Sequence, residues 1–167
     1  MKKIISVITL LIYSFLPLSF VRADGEQNSL SINDLRINEL QVGERFSMER
    51  LNDIFGGLRV PVEEEENKDD HVTEFHLIFQ PDKFANMLTY RNDFLYSIFL
   101  RSMKDKNNKI LMTPRGIHIG SFRKEVMKKY GQGLSQTDSI FYYIPDTGSI
   151  LFKFNNGLVN EILISLE

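Results

Sequence analysis

Two short stretches of the chain place apolar residues four apart, and six others alternate or run apolar between turn signals. In the later helical stretch, Phe122, Val126 and Tyr130 form one stripe with Arg123, Lys124, Lys128 and Lys129 outside it. Ser121 is placed to cap that helix, and Gly131 to stop it. The earlier stretch repeats the design, with Ser47 as cap, Leu51 and Phe55 as stripe and Gly56-Gly57 as stop. Three strands follow each helix, at about 72–79, 85–91 and 94–102, then at about 140–144, 149–155 and 158–166. Pro81-Asp82, Asn92-Asp93, Pro145 to Gly148 and Asn156-Gly157 supply the turns. The bridging stretch contributes one more strand, Lys109 to Thr113, ahead of Pro114.

The two stretches align with each other. Leu51, Phe55 and Gly56 match Val126, Tyr130 and Gly131 at an offset of 75. Pro81, Asp82, Asn92, Ile98 and Leu100 match Pro145, Asp146, Asn156, Ile162 and Ile164 at an offset of 64. The difference, 75 − 64 = 11, sizes an insertion between helix and sheet, where the acidic tract Glu63 to Asp70 lies. The expected fold class is α+β. It consists of two tandem helix–three-strand units with antiparallel sheets, a short helix packed on one face of each. Residues 24–33 form a flexible N-terminal segment, 34–106 the first unit and 107–167 the second.

The beginning of the chain has a different grammar. Lys2 and Lys3 precede an apolar run from Ile4 to Phe20, broken by Pro17, and Val21-Arg22-Ala23 supplies a cleavage pattern. This is the arrangement of a secretory signal peptide cut after Ala23, and it predicts a periplasmic protein with no membrane anchor afterwards. Of 20 Lys plus Arg, three lie in that segment and no acid does, so the remaining charge is 17 − 22 = −5. There is no basic field for nucleic acid. No cysteine is present, which excludes disulfides, thiolate metal sites, cysteine nucleophiles and a lipidated cysteine.

Candidate chemistry is sparse. His71 and His76 are five apart on a strand and point to opposite faces, which disfavours a metal site. The acidic tract lacks the alternating ligands and central glycine of a calcium loop and reads as a solvated loop. No Walker loop, dinucleotide fingerprint, nucleophile elbow or HExxH motif occurs, so neither a cofactor nor catalysis is expected.

Apolar surface is in surplus instead. In the last strand Leu158, Ile162, Ile164 and Leu166 share one face and Val159, Glu161 and Leu163 the other. The earlier strand sets Phe94, Tyr96, Ile98 and Leu100 against Leu95, Phe99 and Arg101. A helix covers one face only. The second then holds Ile78, Leu95, Phe99, Arg101, Tyr142, Lys153, Glu161 and Leu163, packed either between the two units or against another protein.

The positions Ile119, Gly120, Val126, Tyr130, Gly131, Gly157, Val159, Ile162 and Ile164 carry a family likeness: an extended start, a short helix ending in an aromatic and glycine, and a three-stranded meander. The pattern resembles outer-membrane-assembly lipoproteins of the SmpA/OmlA type and β-lactamase inhibitor proteins, which repeat a related unit in tandem. Both families use cysteines, which this chain lacks. The resemblance implies a small periplasmic protein that binds another protein without catalysis. The expected role is immunity or inhibition directed at an envelope-acting enzyme or toxin, with envelope assembly as the alternative. The expected contact residues are Glu63, Glu64, Glu65, Glu66, Phe99, Arg101, Tyr142, Lys153 and Glu161, and the oligomeric state is left open.

Overall fold

The computed structural model describes residues 29–55, 62–67, 72–79, 86–101 and 109–167. The expected signal segment and its cleavage site lie outside these residues, as do His71 and the turn at Pro81-Asp82. The fold is α+β. After a 3-10 turn at Ile32–Asp34 come β1 (Arg36–Ile37), β2 (Leu40–Gln41), α1 (Met48–Phe55) and four strands: β3 (Val62–Asn67), β4 (Val72–Phe79), β5 (Asn86–Arg91) and β6 (Phe94–Leu100). Then come α2 (Arg123–Tyr130) and four more: β7 (Leu134–Ser135), β8 (Ser139–Ile144), β9 (Gly148–Asn155) and β10 (Leu158–Leu166). β1 and β2 form a small hairpin of their own. The other eight strands form a single antiparallel sheet in the order β3-β4-β5-β6-β10-β9-β8-β7.

Two expectations are corrected here. There is one sheet rather than two, because β6 and β10 pair along Ser97–Leu100 and Ile162–Ser165. Among the described residues each helix is followed by four strands rather than three, and the added strand of the first set takes in Glu63 to Asn67 of the acidic tract. Glu63 to Glu66 lie in β3, an outer strand of the sheet, opposite His76, Phe75, Glu74 and Thr73 of β4. A run of glutamates has poor strand propensity, but pairing with a neighbouring strand overrides a weak local preference.

The hairpins β5–β6 and β9–β10 share one register. Met87, Leu88, Thr89, Tyr90 and Arg91 oppose Phe99, Ile98, Ser97, Leu95 and Phe94, and the same five pairs recur 64 residues later. Each hairpin contains a bulge at the matching place, with Tyr96 and Asn160 as the extra residues. The backbone bonds leading into each helix repeat as well. Gly43 N–H donates to Leu95 O and Leu95 N–H to Glu44 O; Gly120 N–H donates to Val159 O and Val159 N–H to Ser121 O. At the join, Ile98 faces Ile164, Phe99 faces Leu163 and Leu100 faces Ile162. Exchanging every residue with its counterpart 64 positions away leaves that pairing unchanged, so a local two-fold axis runs through the sheet between Phe99 and Leu163.

The bulges overturn part of the face assignment. An extra residue reverses the alternation beyond it. Leu95 and Val159, expected beside Phe99 and Leu163, instead join Ile98, Leu100, Ile162 and Ile164 in the core. Phe94 and Leu158, expected on the core face, are exposed. The core cluster includes Leu51 and Ile54 of α1, Val126 and Tyr130 of α2, Ile37 and Leu40 of the small hairpin, and the inward residues of β5, β6, β8, β9 and β10.

Local details differ from expectation at Ser121 and at Lys109 to Thr113. Ser47 does cap α1, its Oγ accepting from Arg50 N–H at 3.3 Å. Ser121 does not cap α2: Phe122 occupies that position, its N–H donating to Glu125 Oε2 at 2.8 Å, while Ser121 Oγ accepts from His118 N–H. Lys109 to Thr113 forms no strand, only isolated bridge positions at Ile110 and at Met112, the latter paired with His118. Within the segment expected to be flexible, Ile32 and Asn33 belong to the 3-10 turn, whose Asp34 carboxylate accepts from Ser31 N–H at 3.0 Å.

Candidate functional site

Residues directly opposite each other on paired strands project to the same face of a sheet. On the face away from the helices, the register therefore lays side chains in rows running across the strands. The middle row is apolar: Met87, Phe99, Leu163, Leu151, Phe141 and Leu134, from β5, β6, β10, β9, β8 and β7 in turn. At about 4.8 Å per strand it spans roughly 24 Å. The first five are partly exposed and Leu134 is 52% exposed, whereas the core residues flanking them, Leu88, Ile98, Ile162, Ile150 and Ile140, are at or near zero.

On one side of this row stands a charged one. Glu161 lies opposite Lys153, and Arg101 follows Leu100 at the end of β6. Arg101 Nε is 3.2 Å from Glu161 Oε1 and Lys153 Nζ is 3.0 Å from Oε2. The shared carboxylate is only 14% exposed, while the two cationic side chains are 47% and 50% exposed. Two cations therefore hold one anion beneath them and present one surplus positive charge. On the other side lies a row of hydroxyls: Thr89, Ser97, Ser165, Ser149 and Tyr143. Ser149 and Ser165 are 3.0 Å apart at Oγ, and Tyr143 O–H donates to Glu167 Oε1 at 2.6 Å, which raises the Tyr143 pKa.

Of the residues expected at a contact surface, Phe99, Arg101, Lys153 and Glu161 are brought together here. Tyr142 is not. It is 4% exposed on the helix side, where it packs against Tyr130 and Phe152 and donates its hydroxyl to Gly131 O at 2.8 Å. The pairing of β8 with β9 sets Tyr142 opposite the core residue Ile150, which fixes its direction. Burial pushes the Tyr142 and Tyr130 phenols up to about 12. Glu63 to Glu66 lie in β3, at the sheet's outer edge, and thus apart from the central rows.

Sequence reasoning missed Met87, Leu151, Phe141, Leu134 and the hydroxyl row as members of this face. Alternation in β9 hints at Leu151, but only strand register joins it to Phe99 across three strands. Among the described residues no group of three or more His, Asp or Glu is placed to hold a metal ion, and no helix is long and apolar enough to cross a membrane. His118 turns its Nδ1 to Ile119 O at 2.8 Å. The arrangement offers apolar contact, the hydroxyls of Ser149, Ser165 and Tyr143, and a half-exposed cation pair, while Thr89 and Ser97 of the hydroxyl row are buried. Comparison with protein-family models, curated proteins and solved structures finds no match for this chain.

Proposed function

We propose that this chain is a non-catalytic protein-binding module. In this reading it is exported to the periplasm, where it neutralises an envelope-acting enzyme or toxin by gripping it with the face opposite the helices. The observation that carries the reading is the partly exposed apolar row crossing six strands, bordered by Arg101, Glu161 and Lys153. Side chains that form a continuous apolar band between polar borders have the anatomy of an interface centre and rim. The resemblance to inhibitor proteins supports the same direction. We propose further that the two halves are copies of one helix–four-strand unit; the repeated register, bulge position and helix-leading hydrogen bonds support this.

The test is inhibition of purified periplasm-acting hydrolases and toxins by the wild-type chain and by Leu163→Lys. The expected result is stoichiometric inhibition of one target, lost in the variant while its circular dichroism stays native. Inhibition that survives Leu163→Lys and Phe99→Lys alike rules out this face. Binding confined to outer-membrane assembly components favours the envelope-assembly role instead.

A further inference from the structure

We infer that the partner meets this face with an apolar ridge carrying carboxylates along one flank only, and that those carboxylates lie over Arg101 and Lys153. The inference rests on the reading of this face as the binding surface and adds the chemistry and orientation of what binds.

The argument starts from the local two-fold axis between Phe99 and Leu163. A half-turn about it exchanges Phe99 with Leu163 and Met87 with Leu151, so the centre of the apolar row maps onto itself. The borders do not. The same half-turn carries Arg101 onto Ser165, Glu161 onto Ser97 and Lys153 onto Thr89. The backbone and the apolar centre thus offer a partner two equivalent orientations, and the borders alone separate them.

The charged border favours acids. Glu161 is held from both sides, by Arg101 Nε at 3.2 Å and Lys153 Nζ at 3.0 Å, and is largely buried under them. Both cations are half exposed and share a single anion, so each has donors left for an incoming carboxylate. In the reversed orientation the partner acids set over Arg101 and Lys153 fall on Ser165 and Thr89 instead, which carry no charge. The surplus positive charge here also stands out on a chain whose formal net charge is −2. Paired charges at an interface border set orientation and association rate more than total affinity.

The test pans displayed random peptides of about 16 residues, long enough as a helix to span the row, on the full chain. Recovered peptides are then measured on three proteins: wild type, Leu163→Lys, and the triple variant Arg101→Ser, Glu161→Ser, Lys153→Thr, which turns the charged border into a copy of the hydroxyl one. Circular dichroism verifies each fold. The expected result is peptides combining apolar residues with Asp or Glu, losing binding on Leu163→Lys and about tenfold or more on the triple variant. If the triple variant fails to fold, wild-type binding must weaken several-fold from low salt to about 0.5 M salt. Peptides that need Leu163 but are basic, or bind the triple variant or high-salt wild type undiminished, overturn the acidic partner and leave the face standing. Recovery of no Leu163-dependent peptide overturns both.

Discussion

Replacing Arg115 by alanine tests how the beginning of the described chain is tied to the second half. Arg115 lies in the loop between Thr113 and Ile117, and its Nε and Nη2 bind the two Asp34 carboxylate oxygens at 2.6 and 3.0 Å. Its Nη1 donates to Lys129 O near the end of α2 at 2.8 Å, and its guanidinium lies 4.9 Å from the Tyr130 ring centroid. Side-chain exposures of 17% for Arg115 and 9% for Asp34 make this a mostly buried, bidentate pair. Removing one partner of a buried pair costs about 3–5 kcal/mol, because the other charge is left without compensation. Residual exposure of the arginine, and the Ser31 N–H that Asp34 keeps, reduce that to about 3 kcal/mol. With a urea m-value of about 1.5–2 kcal/mol/M, the midpoint falls by roughly 1.5–2 M. Far-ultraviolet circular dichroism in urea measures it. Because both single variants break the same pair, Arg115→Ala combined with Asp34→Ala is expected to cost little more than either alone. A loss below about 1 kcal/mol for Arg115→Ala, or additive single losses, refutes the reasoning.

Three further outcomes are expected. Deleting Asn160 removes the bulge that turns Val159 into the core, so Val159 and the start of β10 must choose between register and burial; a loss of about 2–3 kcal/mol in urea unfolding is expected. Glu161→Gln changes stability by less than about 1 kcal/mol in the same assay, since both cationic partners are half exposed. Tyr130 and Tyr142, pushed up to about 12 by burial, stay neutral in the folded protein after unfolded-state phenols have ionised near pH 10. Their contribution to stability is therefore full below pH 10 and lost as pH rises towards 12, and tyrosinate absorbance should show these two ionising late or only with unfolding.

Local chemistry was legible in the sequence wherever a residue type forces a backbone shape. The turns at Asn92-Asp93 and Asn156-Gly157 sit where expected, with φ values of 49°, 67°, 52° and 75°. Gly131 ends α2 at φ 80°, its N–H donating to Met127 O. Long-range register was not legible. Nothing in the residue types marks Tyr96 and Asn160 as bulge residues, since one is a large aromatic and the other a small amide. Without the bulges, simple alternation sends Leu95 and Val159 to the wrong face. Tyr142 fails for the same reason: its direction follows from pairing with Ile150, a choice made between strands. The acidic strand β3 fails because its stability comes from β4 and not from its own composition.

The join between β6 and β10 explains why one sheet forms where two were expected. Separated, each half would end in a strand with a free hydrogen-bonding edge, and Ile98, Leu100, Ile162 and Ile164, all fully buried, would lose the apolar neighbours that the join supplies. A four-stranded half of roughly 60–70 residues has little core to spare for that loss. Pairing the two edges satisfies both backbones at once and fuses two marginal cores into one cluster. It also creates the candidate surface, because Phe99 and Leu163 become neighbours only across that join. Stability and the candidate surface thus depend on the same four pairs of residues. A substitution that breaks the join, such as proline at Leu163, should therefore remove the candidate face and cooperative unfolding together.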